Sequence, residues 1–129
     1  MPGRAKATKS GQALELRVVE LAEKLRLRAD RGVRVGKRLW GRVRVIDVVV
    51  RQEETRKLLG IECKSQETAG SAEEKIPSVV QDIEAWPIRG LVVFDGKGFS
   101  PEMRVYLLGT GKAVEFEDLE AWLGLFFGL

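Results

Sequence analysis

The chain has no histidine and one cysteine, Cys63. Without histidine there is no Ser-His or Cys-His nucleophile pair, no imidazole general base and no His-ligated zinc. A single thiol excludes an internal disulfide and a cysteine-cluster metal site. No apolar run approaches the roughly 20 residues that a membrane helix needs, and no secretory hydrophobic region follows the start, so a cytoplasmic location is expected. A glycine-rich nucleotide-binding loop is also missing, and no nucleotide cofactor is expected. Catalysis is left to carboxylates, lysine, arginine, tyrosine or serine, working with a hard, oxygen-preferring cation.

What is present in quantity is charge, unevenly spread. Residues 1–60 carry 16 Lys/Arg against 7 Asp/Glu, and residues 61–129 carry 6 against 12, within a net charge of +3. A basic first half suits a phosphate-backbone partner, and acidic positions beside it suit a metal; a well-solvated surface has the same composition. The 129 residues, 44% of them hydrophobic, suffice for one core. Residues 1–9, with Arg4, Lys6 and Lys9, lack apolar periodicity and are expected to form a basic flexible arm; residues 10–129 are expected to form a single domain.

Ser10 is a plausible N-cap, and Leu14, Val18, Leu21, Ala22 and Leu25 make one helical stripe within residues 11–29, which Asp30-Arg31-Gly32 should end. Residues 33–39, 43–51 and 57–66 read as an antiparallel meander of three strands. A helix over 71–86 follows, then a strand at 91–94, a helix opened by Ser100-Pro101, a strand at 112–116 and a helix at 117–127. This order predicts an α/β fold, a mixed sheet with helices on both faces.

The third strand, Ile61-Glu62-Cys63-Lys64-Ser65-Gln66, has a composition that a central strand should not carry. Alternation puts Glu62, Lys64 and Gln66 on one face, where they need partners or a ligand. Asp47, within Val45-Ile46-Asp47-Val48-Val49-Val50, raises the same question from the neighbouring strand. In a hairpin the two acids lie side by side, and a divalent cation resolves their repulsion, with the Cys63 carbonyl as a further ligand. Lys64 then stands beside the cation, placed to orient an attacking water and offset charge on a phosphate. A structural Asp47/Glu62–Lys64 ion pair on a wet sheet face is the plainer alternative.

Asp on the second strand, Glu-x-Lys on the third and a glutamate-bearing helix before both resemble the PD-(D/E)XK nuclease superfamily. Gly11-Gln12-Ala13-Leu14-Glu15 is similar to the first-helix Gly-x-x-x-Glu of its Holliday-junction-resolvase branch. Glu62-Cys63-Lys64-Ser65-Gln66 with Gly70 and Glu74-Lys75-Ile76-Pro77 is similar to restriction-type members. The resemblance covers about residues 10–95 and implies a restriction-endonuclease-like αβββαβ core. It also implies Asp47 and Glu62 as ligands of Mg²⁺ (or Mn²⁺), Lys64 as the catalytic lysine and Glu15 as an accessory acid. Ile46 stands where many members have proline.

Gln66 is a candidate for a phosphate or water contact, and Lys75 for a phosphate contact at a helix start. Arg34, Lys37, Arg38, Arg42 and Arg44 bracket the first hairpin with Trp40 at its tip, a basic ribbon suited to double-stranded or branched DNA. Trp40 is equally suited to anchor a core. The C-terminal Trp122-Leu123-Gly124-Leu125-Phe126-Phe127-Gly128-Leu129 suits either burial in the monomer or the seam of a homodimer. The expected function is therefore a metal-dependent DNA endonuclease. The alternatives are an inactive nuclease-like DNA-binding or interaction subunit, and an RNA-processing nuclease.

Overall fold

The computed structural model describes the backbone of residues 2–37, 43–66 and 76–129, and side chains within these from residue 11, Lys37 excepted. The elements run α1 (Pro2–Lys24), β1 (Arg28–Lys37), β2 (Val43–Arg51), β3 (Leu58–Ser65), α2 (Ile76–Glu84), β4 (Arg89–Asp95), α3 (Pro101–Gly109), β5 (Ala113–Glu115) and α4 (Phe116–Phe127). The strands form one sheet in the order β1-β2-β3-β4-β5. The first three are antiparallel, as the meander predicts, whereas β4 and β5 join in parallel. Parallel neighbours need a crossover, and α3 is the crossover between β4 and β5.

Both faces are covered, because the central strands are apolar on both sides. On one, Leu14, Val18 and Ala22 of α1 and Leu119, Leu123 and Phe127 of α4 pack over Leu59, Ile61, Leu91 and Val93. On the other, Val80, Ile83 and Trp86 pack over Val92 and Phe94. Gly60 permits that close approach: a Cβ there would lie 2.8 Å from the Trp86 ring. Ser100 caps α3 by accepting from the Met103 N–H at 3.1 Å, with Pro101 at the first helical position.

The first helix departs from expectation at both ends. It starts at Pro2 rather than at Ser10, consistent with alanine, lysine and arginine being good helix formers. It ends at Lys24, before the Asp30-Arg31-Gly32 stretch, through a Schellman turn. Leu27 N–H donates to the Ala22 carbonyl and Arg26 N–H to that of Glu23, both at 2.9 Å. Arg26, at φ 63°, takes the left-handed position that glycine usually holds, so no breaker marks the end in the sequence. Asp30, Arg31 and Gly32 accordingly lie inside β1.

The C-terminal apolar stretch is largely consumed by the chain's own core. Leu119, Leu123 and Phe127 are buried, and Trp122 stacks on Phe126 at 5.1 Å. Gln52 donates to the Phe127 carbonyl at 3.0 Å, tying the helix end to the β2–β3 turn. Leu125 and Leu129 remain exposed.

Candidate active site

The site begins where a ladder stops. Pairing of β2 with β3 ends at Val48↔Ile61, whereas β3 continues against β4 as far as Ser65↔Asp95. From Glu62 onward, the β2 side of β3 has no strand partner among the described residues, and Asp47 takes that place. Its Oδ2 accepts the Cys63 N–H at 2.8 Å. In a strand the N–H and C=O of one residue point to the same side, so the Cys63 carbonyl faces the Asp47 side too.

Asp47 reaches this position through a local irregularity. Paired positions pass from Arg31↔Val48 to Val33↔Ile46, leaving Gly32, at φ 61°, opposite Asp47. Val48 and Val50 enter the core beneath α1, whereas Ile46, two residues before Val48, enters the core beneath α2. Strict alternation would place all three together, so the pleat slips at Asp47.

Alternation holds on β3. Leu59, Ile61 and Cys63 enter the core beneath α1, which puts Glu62 and Lys64 on the α2 side, beside Val92 and Phe94 of β4. Both are half-buried. Glu62 shares a hydrogen bond with Asp47, and its carboxyl is pushed up to about 8. Burial is the largest cause, followed by the Asp47 charge and that hydrogen bond; Lys64 opposes the shift and Asp82 of α2 adds to it.

Glu15 approaches Asp47 from α1. Its carboxyl is raised by burial and then by the Asp47 charge, against the pull of Arg31, whose guanidinium lies 3.3 Å away. Leu14, next to Glu15, is fully buried, so Glu15 leaves the helix at the margin of its apolar stripe. The three acids reside on three elements and one neighbourhood: Asp47 and Glu62 in contact, Glu15 more loosely joined. Arg31 is the member that the sequence hides, because it reads there as part of a helix break. As a β1 residue opposite Val48, it falls on the side of the sheet that α1 covers.

Other candidates separate. Cys63 is buried, and burial followed by the surrounding carboxylates pushes its thiol up, so it stays a protonated core group. Gln66 is buried, donating from Nε2 to the Gly98 carbonyl at 2.9 Å while its Oε1 lacks a partner among the described residues. It is thus built into the turn after β4, where a Cβ on Gly96 would meet the Gln66 carbonyl at 2.1 Å. Arg34 is exposed on β1, next to exposed Val43 and Val45 of β2. Arg44 is not available to a phosphate. It is only 15% exposed and clamps α2, donating to Asp82 and to the Ala85 carbonyl, each at 3.2 Å. Burial against α2 removes it from the basic ribbon. Arg38, Trp40, Arg42 and Lys75 lie outside the described residues, as does the side chain of Lys37.

The donor set at Asp47 and Glu62 fits a hard divalent cation: two carboxyls forced together out of water, with a carbonyl alongside, all oxygen. Among the described residues, three carboxylates come within 4.8 Å of one another elsewhere, Glu115, Glu117 and Asp118 at the start of α4. Arg104 pairs with Glu115 there at 2.5 Å. Among the described residues no helix is long and apolar enough to cross a membrane.

Comparison with known proteins agrees with the geometry. No curated protein matches the sequence. A solved structure titled as that of a protein of unknown function, AF1548, superposes with a TM-score of 0.55 at 21% identity, which speaks to the fold alone. The match takes in 80% of this chain but 56% of the other, so this chain spans little more than half of that protein's length. The family model described as PD-(D/E)XK nuclease superfamily domain matches residues 6–119, which include α1 from its first turns, all five strands and the Asp47, Glu62 and Lys64 positions. The chain belongs to the PD-(D/E)XK nuclease superfamily.

Proposed function

We propose that the chain is a divalent-cation-dependent endodeoxyribonuclease whose centre is Asp47, Glu62 and Lys64. The observation that carries this reading is the contact of the Asp47 and Glu62 carboxyls at the open end of the β2–β3 ladder, with Lys64 one step further on the Glu62 face. Asp47 and Glu62 would hold Mg²⁺ or Mn²⁺ together with the Cys63 carbonyl, and Glu15 would support them from α1. When bound, the cation would stabilise negative charge on the phosphate and make a water more acidic. Lys64 orients the attacking water and offsets the charge that develops as the new P–O bond forms and the ester bond breaks. Asp47 also fixes the end of β3 through the Cys63 N–H, so binding and strand geometry are coupled at one side chain. Gln66 holds the strand end against the turn after β4, and its buried Oε1 has no hydrogen-bond partner among the described residues.

The polyanion is gripped by the basic ribbon of the first hairpin, of which Arg34, beside the exposed Val43 and Val45, is the described and exposed member. Duplex or branched DNA is the preferred substrate, and a homodimer seated on what remains exposed at the C-terminus, Leu125 and Leu129, would serve double-strand cutting. Sedimentation as a strict monomer at micromolar concentration removes the dimer. The test of the function is nicking of plasmid, four-way-junction and mismatched DNA in Mg²⁺ or Mn²⁺ by wild type and Asp47→Asn. Cation-dependent cutting lost in the variant is the expected result. DNA binding without cutting by any cation assigns the chain to a non-catalytic subunit, and preferential cutting of RNA in competition assigns it to RNA processing.

A further inference from the structure

Arg31 and Glu15 form a loosely made ion pair beside the proposed cation site. The Nε and Nη2 of Arg31 both approach the same oxygen of Glu15, each at 3.3 Å, rather than gripping its two oxygens as a fork. Arg17 holds Asp95 at 2.7 Å by contrast. Arg31 is 39% exposed and Glu15 20% exposed, so the cation of the pair faces solvent and the anion faces Asp47. Arg34, exposed three residues along β1, extends the same positive edge. We infer that Arg31 is an exchangeable counter-ion, holding Glu15 in the free protein and passing to a substrate phosphate on binding, which releases Glu15 to the cation site. The inference rests on the nuclease reading above. Exposed ion pairs are weak in water, whereas guanidinium on a phosphate is a strong, often two-point contact, so the exchange runs in this direction. Arg31 acts through Glu15 and is a positioning residue.

The exchange predicts coupling between two ligands that touch different groups. Calorimetry of Ca²⁺ binding, with and without a saturating, uncleavable phosphorothioate duplex, reads it without turnover. Wild type should bind Ca²⁺ more tightly with the duplex. Arg31→Gln should bind Ca²⁺ about fivefold more tightly than wild type without duplex and gain correspondingly less from it. Arg31→Lys should restore the wild-type pattern, and Arg28→Gln, which removes the same charge from the same strand, should leave it unchanged. Melting curves check that each variant is folded. Ca²⁺ affinities that depend on Asp47 but are the same in Arg31→Gln as in wild type overturn this inference alone, as does an Arg28→Gln effect equal to that of Arg31→Gln. Ca²⁺ binding that Asp47→Asn leaves unchanged overturns the nuclease reading with it.

Discussion

Asp47 and Glu62 meet on adjacent strands with the core beside them; Glu115, Glu117 and Asp118 meet at the exposed start of α4. Both places crowd carboxylates, but only one lacks a structural reason for doing so. Glu117 and Asp118 sit in the first turn of α4, where the helix dipole favours negative charge, and Arg104 neutralises Glu115. Glu117 is raised chiefly by its hydrogen bond to Glu115, yet it lies in full contact with water. At the other site burial is the largest cause of the Glu62 shift, and Lys64 and Arg31 are two cations against three acids. Crowding in water is a surface feature, whereas crowding out of water is a cost, which is why the proposed cation is placed at Asp47 and Glu62.

The sharpest way to break that contrast is to neutralise each cluster in turn. Asp47→Asn should lower cation-dependent cleavage on the order of 10³-fold or more, because it removes a charged ligand of the proposed cation while its amide oxygen can still accept the Cys63 N–H. Glu117→Gln and Asp118→Asn should leave cleavage at wild-type rate. The reverse pattern in a plasmid-nicking assay would move the catalytic centre to α4. Lys64→Met should reduce cleavage by about 10²–10³-fold while duplex affinity, read by fluorescence anisotropy, stays within about twofold. A loss confined to affinity would make Lys64 a phosphate anchor instead.

Two arginines of the basic half sharpen the comparison in another way. Arg44 is clamped to Asp82 and Ala85, and Arg34 is exposed. Arg44→Met should cost about 1–3 kcal/mol in chemical denaturation, since it leaves Asp82 short of a donor in a partly buried place. Arg34→Ala should change stability by less than about 0.5 kcal/mol while lowering the salt dependence of duplex binding by about one unit of slope.

These cases also mark what could be read before the structure. The meander, the capped α3 and the meeting of Asp47 with Glu62 were legible because each follows from period-two patterning, a Ser-Pro start or a polar residue on an apolar strand. The end of α1 was not, because Arg26 occupies a left-handed position with no glycine to announce it. That hid the first five residues of β1, Arg28 to Gly32, and with them the Arg31–Glu15 pair. The clamp on Arg44 is hidden for a different reason: charge is visible in a sequence, but the helix that buries it arrives from 38 residues away. The slip of the pleat at Asp47 is invisible too, since its mark is a glycine on the opposite strand.

The smallest effect is also the one that separates a cation site from a surface cluster without turnover. Glu62 has an ordinary value of 4.5 when unfolded and about 8 when folded, so between these the native protein holds a proton that the unfolded chain has released. The stabilisation from that proton is complete below 4.5 and is lost as pH rises through 8. In the absence of divalent cations, the melting temperature should therefore fall by a few degrees between mildly acidic and mildly alkaline buffer, and Glu62→Gln should remove the fall. A cation bound between Asp47 and Glu62 competes with this proton, so its affinity should rise by up to about tenfold per pH unit below 8 and level off above. Calorimetry in buffers of different ionisation enthalpy counts the released proton directly. Glu117→Gln should leave both profiles intact, because a carboxylate in water gives up its proton without the core taking part. A pH profile that follows Glu117 and ignores Glu62 would mean that the proton, and with it the place for a cation, belongs to α4.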